Sequence, residues 1–253
     1  MPPTFLNAHT TLNIAHRGAS AVAPPNTLTA FSKAVLLGAD PIELDVRLCA
    51  DDVPVVIHDS TVDATTNGSG QVAHMMLAEL KELDAGSSFH PAFAGERIPT
   101  LEQVLEAFGE QVLLNIDLKA EGLKPDGLEH AVVDLVERYA LGKRVLLSSL
   151  NPLALHRVRK IAPHVPTGLV YTRAALPFVA FADLISPELF DAFHPHHTVV
   201  DEQHAAWARQ HDRRMHVWTV DDRAEMRRLI ALAVDSIITR VPNVLKSSSE
   251  DLG

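Results

Sequence analysis

The sequence predicts an α/β chain closed into a (β/α)8 barrel, with a small insertion after the second strand that caps the C-terminal face. Three observations carry that expectation. The chain has 253 residues, close to the usual size of such a barrel, roughly 250 residues. Short apolar runs alternate with stretches of helical spacing along almost the whole sequence, as strand–helix repeats require. No G-x-G-x-x-G turn is present, so the usual sign of the alternative, a doubly wound open sheet, is missing.

The elements follow in order. Residues 12–15 read as the first strand. Residues 27–37 carry apolar side chains at helical spacing, with Asn26 placed to cap the start and Gly38 just past the end. A second strand covers 41–48, and 53–57 is a further extended run. Asn67-Gly68-Ser69-Gly70 signals a turn, and a helix is predicted over 77–83. Thr100 is a good N-cap for a helix over 101–108, with Gln103 in the capping-box position. Strands at 112–118, 145–148 and 168–171 precede helical patterns at 128–139, 152–161 and, more weakly, 178–189. A short strand near 198–200 precedes a helix over 203–211; a strand over 216–220 precedes one over 223–232; 236–239 is the last strand. The stretch from about 51 to 99 is too long for a plain connection and carries its own signals, so it reads as an insertion within a single domain spanning 1–253. The tail, 246–253, reads as a frayed end.

Composition narrows the partners. The formal net charge is −10, which argues against nucleic acid or an anionic membrane surface, since both favour a basic face. The first residues lack the basic and apolar regions of a signal peptide, and no apolar run approaches the ~18 residues of a membrane span. A cytoplasmic protein without stable membrane association is the expectation. Cys49 is the single cysteine, so no disulfide forms within the chain, and a small buried filler is its simplest role.

Chemistry concentrates in four segments: Ala15-His16-Arg17-Gly18, Glu43-Leu44-Asp45, His58-Asp59 and Asp117-Leu118-Lys119. Strand side chains alternate between faces, so Glu43 and Asp45 share one face and Asp117 and Lys119 share another. If Ile42, Leu44, Val46, Ile116 and Leu118 pack under the helices, the charged set points into the barrel, at the end where barrel active sites form. Three carboxylates so close repel one another unless a cation sits between them. Oxygen-only donors favour Mg2+ or Ca2+ over Zn2+. The histidines can move protons, and Arg17 and Lys119 can hold an anionic oxygen. That is equipment for metal-assisted cleavage of a phosphate ester. Tyr171 is a further candidate to donate a hydrogen bond to substrate. His194-Pro195-His196-His197 fits no metal signature and reads as structure or mouth polarity.

These residues, in this order, resemble the glycerophosphodiester phosphodiesterase family. The similarity starts at His16-Arg17-Gly18-Ala19-Ser20 and passes through Asn26-Thr27, Glu43-Leu44-Asp45-Val46, His58-Asp59, Thr65-Thr66-Asn67-Gly68-Ser69-Gly70 and Arg97-Ile98-Pro99-Thr100-Leu101. It continues through Asn115-Ile116-Asp117-Leu118-Lys119, Ser148-Ser149-Leu150-Asn151-Pro152 and Val217-Trp218-Thr219-Val220 to Val234-Asp235-Ser236-Ile237-Ile238-Thr239. The resemblance implies one divalent cation, Mg2+ or Ca2+, held by Glu43, Asp45 and Asp117. It implies His16 and His58 as the acid–base pair, Arg17 and Lys119 on the phosphate, and Trp218 as an apolar wall for glycerol. The implied substrate is a small glycerophosphodiester, such as glycerophosphocholine or glycerophosphoethanolamine, hydrolysed to glycerol 3-phosphate and an alcohol by way of a cyclic phosphate.

Three positions depart from the family pattern. Pro25 stands where a glutamate is usual. Asp117 also replaces a glutamate and is shorter by one methylene, roughly 1.5 Å. Arg240 follows the last strand where an aspartate is common, and either adds positive charge at the mouth or forms a structural ion pair. Two other functions stay open from sequence: a lysophospholipase D-like activity, which needs an apolar surface for an acyl chain, and a binding barrel that has lost catalysis.

Overall fold

The computed structural model describes residues 4–7, 10–175 and 189–250. Eight parallel strands form the barrel: β1 (Leu12–His16), β2 (Pro41–Leu48), β4 (Leu113–Leu118), β5 (Val145–Ser149), β6 (Thr167–Tyr171), β7 (Ala192–Pro195), β8 (Arg214–Val217) and β9 (Ser236–Thr239). The ring closes because β1 pairs with both β2 and β9. A ninth strand, β3 (Pro54–Val56), returns antiparallel along β2. The described helices are α1 (Leu28–Leu36), α2 (Leu77–Glu82), α3 (Leu101–Phe108), α4 (Leu128–Arg138), α5 (Pro152–Ile161), α6 (Glu202–Gln210), α7 (Arg223–Ala231) and α8 (Pro242–Glu250).

Strand alternation sorts the residues. Ile42, Leu44, Val46, Ile116 and Leu118 join a core between strands and helices that also holds Phe31, Leu101, Leu105 and Val132. A second core on the other side gathers Leu169, Tyr171, Phe193, Met215 and Val217 with Met226 and Leu229 of α7. Each such side chain contributes roughly 1.5–3 kcal/mol when fully buried. Inside the ring, Leu12, Ile14, Leu113, Leu146, Ala192 and Ile238 fill the N-terminal half, and Phe5 closes the base. The apolar interior is thus confined to one end, and the other end is left to polar side chains.

Local signals explain the helix starts. Thr100 accepts a hydrogen bond from the Gln103 backbone while the Gln103 side chain accepts from the Thr100 N–H, the reciprocal box expected from sequence. Asn151 caps α5, with Pro152 in its first turn. The cap of α1 is a correction: Thr27, not Asn26, accepts from the Ala30 N–H. Asn26 has a positive φ of 61° and its side chain is turned into the barrel mouth.

Three other expectations change. The sixth barrel strand is Ala192–Pro195, while His197–Val199 forms a single 3-10 turn. The β-branched run at 198–200 misled because Val199 and Val200 pack into the outer core from that turn. The true strand was obscured because His194 faces inward and Pro195 ends it. Strand β8 spans Arg214–Val217 rather than 216–220. The tail is ordered as α8 to Glu250, with Ser248 buried and its hydroxyl bonded to the Val244 carbonyl. The helical pattern expected over 178–189 falls almost wholly outside the described residues.

The insertion has its own small core of Cys49, Val55, Ile57, Val62, Val72, Leu80, Ala85 and Ile98. Cys49 is buried there, as expected. Because β3 runs back along β2, the Ile57 N–H reaches the Asp45 carbonyl at 3.0 Å, so His58 returns to the level of the strand ends.

Candidate active site

Register brings the carboxylates together. Asp45 lies beside Asp117 across the β2–β4 pair, and Glu43 lies beside His16 across β1–β2. Glu43, Asp45 and Asp117 are all buried, and one oxygen from each lies within 4.8 Å of the other two. Two ligands of one ion at 2.0–2.6 Å stand no more than about 4–5 Å apart, so this oxygen set fits a single hard divalent cation. The shorter Asp117 still reaches the cluster. Among the described residues no other group of three His, Cys, Asp or Glu side chains converges so closely, and the 194–197 histidines do not.

The turn after β1 is built for this place. Arg17 has φ 56° and Gly18 φ 80°, and a Cβ on Gly18 would sit 2.6 Å from the Ala30 carbonyl carbon. Only glycine fits both the backbone and the packing. The turn aims the Arg17 N–H at Glu43 Oε2, 2.8 Å away, and sets the Arg17 Nε 3.0 Å from Asp45 Oδ2. That ion pair lacks hydrogen-bond alignment, because the same Nε has no hydrogen-bond partner. Lys119 binds Asp45 Oδ1 at 2.8 Å and also holds Asp117. Ser148 on β5 donates to Asp117 Oδ1 at 3.2 Å.

Asn26 is the residue that helix reasoning misassigned. Its Nδ2 donates to Asp45 Oδ2 at 2.8 Å and its Oδ1 accepts the Asp45 N–H at 3.3 Å. The available signal was its place just before a better cap, Thr27. Asp59 also went unassigned: its carboxylate sits 2.7 Å from His58 Nδ1. Arg47 Nε donates to the His58 carbonyl at 2.8 Å and fixes the backbone there.

Charge balance follows from burial. Burial raises the Glu43 pKa well above the ordinary carboxyl value, and the neighbouring Asp45 charge adds to that. Burial pushes Asp45 the same way, but Lys119 and Arg17 together outweigh it and hold Asp45 low. The same pairing wins over burial at Lys119, whose pKa is raised. When all three carboxyls are ionised, two cations leave an excess of negative charge, which a divalent ion would offset. Burial, with Arg17 and Lys119 nearby, lowers His16 to about 3, so it is neutral at ordinary pH, and its buried Nδ1 has no hydrogen-bond partner.

These groups line one cavity of about 480 Å³, counting space open to solvent, at the C-terminal end of the barrel. His16, His58, Arg17, Lys119, Trp218 and the three carboxylates all border it, so these eight expected residues arrive in one place. Asn115 and His194 line it as well. Trp218 is locked by its Nε1 donating to the His194 carbonyl at 2.7 Å. Tyr171 does not join the site. As the last outward residue of β6 it packs in the outer core, and its hydroxyl lies 2.7 Å from His204 Nε2. Arg240 is engaged by Asp221, with Nε 2.6 Å from Oδ2. Pro25 borders a small neighbouring cavity beside Arg17, His58 and Asp59.

Residues 16–244 match the model of the Glycerophosphoryl diester phosphodiesterase family. A glycerophosphodiester phosphodiesterase from Caldanaerobacter subterraneus subsp. tengcongensis is 42% identical over 236 residues, covering 93% of this chain and 96% of that one. The crystal structure of a glycerophosphodiester phosphodiesterase from Agrobacterium tumefaciens superposes with a TM-score of 0.83 at 30% identity, covering 94% of this chain and all (100%) of the other. A phosphodiesterase from Oleispira antarctica, solved in complex with the product sn-glycerol-3-phosphate, gives 0.83 at 28% identity, covering 94% and 96%.

Proposed function

The chain belongs to the glycerophosphoryl diester phosphodiesterase family, and from that premise we propose that it hydrolyses small glycerophosphodiesters to glycerol 3-phosphate and an alcohol, using one divalent cation and two histidines. The observation that carries this reading is the convergence of Glu43, Asp45 and Asp117 within 4.8 Å in the cavity that also holds His16, His58, Arg17 and Lys119. The related Oleispira enzyme was solved with glycerol 3-phosphate bound, which supports the product.

Glu43, Asp45 and Asp117 would hold the cation, Mg2+ or Ca2+, which when bound supplies Lewis-acid polarisation and lowers the pKa of a nearby hydroxyl. Arg17 and Lys119 hold the non-bridging phosphate oxygens. The two histidines divide the proton work by environment. His16 is uncharged and borders the cavity, so it has a ring nitrogen free to accept the proton of the glycerol 2-hydroxyl as that oxygen attacks phosphorus. His58 has Asp59 2.7 Å from its Nδ1, which orients the ring so that Nε2 can protonate the departing alcohol. The roles then reverse as water opens the cyclic phosphate. Trp218 forms an apolar wall for glycerol. Residues 1–253 act as one domain, and no helix among the described residues is long and apolar enough to cross a membrane.

The test is release of glycerol 3-phosphate from glycerophosphocholine by EDTA-stripped protein, with Mg2+, Ca2+ or Mn2+ returned. Turnover that requires an added ion is expected. Full activity without any ion would remove the metal from the mechanism, and no turnover with any ion on folded protein would overturn the catalytic reading.

A further inference from the structure

A second hollow opens directly from the catalytic cavity. It encloses about 900 Å³, counting open solvent, and shares His58, Asp117, Lys119 and Leu150 with the cavity described above. Beyond those residues one wall is apolar, with Leu118, Ala120, Leu123 and Pro152, and Arg47, Glu121, Ser149 and Asn151 complete the lining. Leu123 is 82% exposed and Leu150 60%. Two large apolar side chains left in water at one rim of an active site call for an occupant more than scattered surface leucines do. The charges at the far edge cancel, since Arg47 Nη1 and Glu121 Oε1 are 2.8 Å apart. The wall is also held in shape. Asn151 Nδ2 donates to the Ala120 and Gly122 carbonyls at 3.2 and 2.9 Å, tying the loop after β4 to the start of α5.

The geometry points to this groove as the subsite for the leaving alcohol, shaped for an uncharged carbon chain rather than for a second polyol or an anionic group. This rests on the diesterase reading above. His58 borders both hollows, so an alcohol oxygen protonated by His58 has its carbon skeleton directed along Leu150 toward Leu123. Trp218 borders the catalytic cavity and not the groove, which leaves the glycerol half of the diester on the Trp218 side. With Arg47 already paired to Glu121, the groove offers no free cation to an anionic leaving group.

The experiment compares sn-glycerol 3-phosphate esters of ethanol, butanol and hexanol as substrates of the metal-loaded enzyme. The readout is the ratio of kcat/KM for the hexyl ester to that for the ethyl ester. Partial burial of four added methylenes predicts a ratio of about tenfold or more in the wild-type protein. Leu123→Ser should reduce that ratio several-fold, and Leu123→Ser with Leu150→Ser should bring it close to one. Leu123 is so exposed that the single variant should fold normally, which a thermal melt checks. A wild-type ratio near one, or a ratio unchanged in both variants, overturns the subsite while leaving the hydrolase intact. Failure to turn over any of the three esters or glycerophosphocholine would instead overturn the catalytic reading itself.

Discussion

At the scale of single residues, burial and partners assign different work to chemically identical groups. His16 and His58 are both imidazoles at the strand ends, but one is buried among cations and the other leans on a carboxylate. His16→Ala and His58→Ala should each cost ~10²–10⁴ in kcat on an alkyl-ester substrate. A glycerophosphoryl p-nitrophenyl ester separates them, because its leaving group needs no protonation. That substrate should restore most of the activity of His58→Ala and little of that of His16→Ala; the opposite pattern would exchange the two roles. Asn26 is a second case. Its side chain makes both hydrogen bonds to Asp45, so Asn26→Gly, which keeps the positive φ accessible, should weaken Mg2+ or Ca2+ binding about 10–100-fold. Calorimetric titration measures this directly. Because Thr27 caps α1, the variant should stay folded.

At the scale of elements, the parts most legible in the sequence are those whose local chemistry and tertiary role agree. The capping box of α3 was readable because Thr100 and Gln103 need only each other. Thr100→Ala should lower the urea midpoint with an unchanged slope, for a loss of ~1 kcal/mol, and should leave kcat unaltered because α3 lies outside the site. Strand β7 was not legible, because its inward residue is a buried histidine and Pro195 ends it after four residues. Tyr171 shows how parity settles a role: Gly168 and Val170 face inward, so the tyrosine two places from Leu169 faces the helices.

At the scale of the whole molecule, the closed barrel puts several ionisable groups into a dry interior, and pH should report it. Burial lowers His16 to about 3 and His216 to about 4, and it drives His194 well below its ordinary value of 6.5 with help from His216. The unfolded chain binds protons on these rings below pH 6.5 while the folded chain does not. Their neutral burial is therefore without penalty above that pH, and stability falls as pH drops below it, by up to about 1.4 kcal/mol per pH unit for each ring. Glu43 has the opposite sign. Its raised pKa means that in metal-free protein stability is lost as pH rises from the ordinary carboxyl value through the folded one. Thermal melts from about pH 4.5 to 8 should show an acid-side decline with or without metal. Added Mg2+ or Ca2+ should raise Tm most on the alkaline side; an equal rise at every pH would contradict the assignment of Glu43.

The sequence by itself determined the family, the barrel and the identity of the polar cluster. Strand alternation and the order of His16, Glu43, Asp45, His58, Asp117 and Lys119 are local properties that need no knowledge of neighbours. Tertiary structure alone decided that Asn26 serves Asp45 rather than a helix end, that Asp59 braces His58, that Arg240 is tied to Asp221, and that an apolar groove leads away from His58. Each of these depends on distances between segments far apart in the chain, which only closure of the barrel and the antiparallel return of β3 bring within reach of a hydrogen bond.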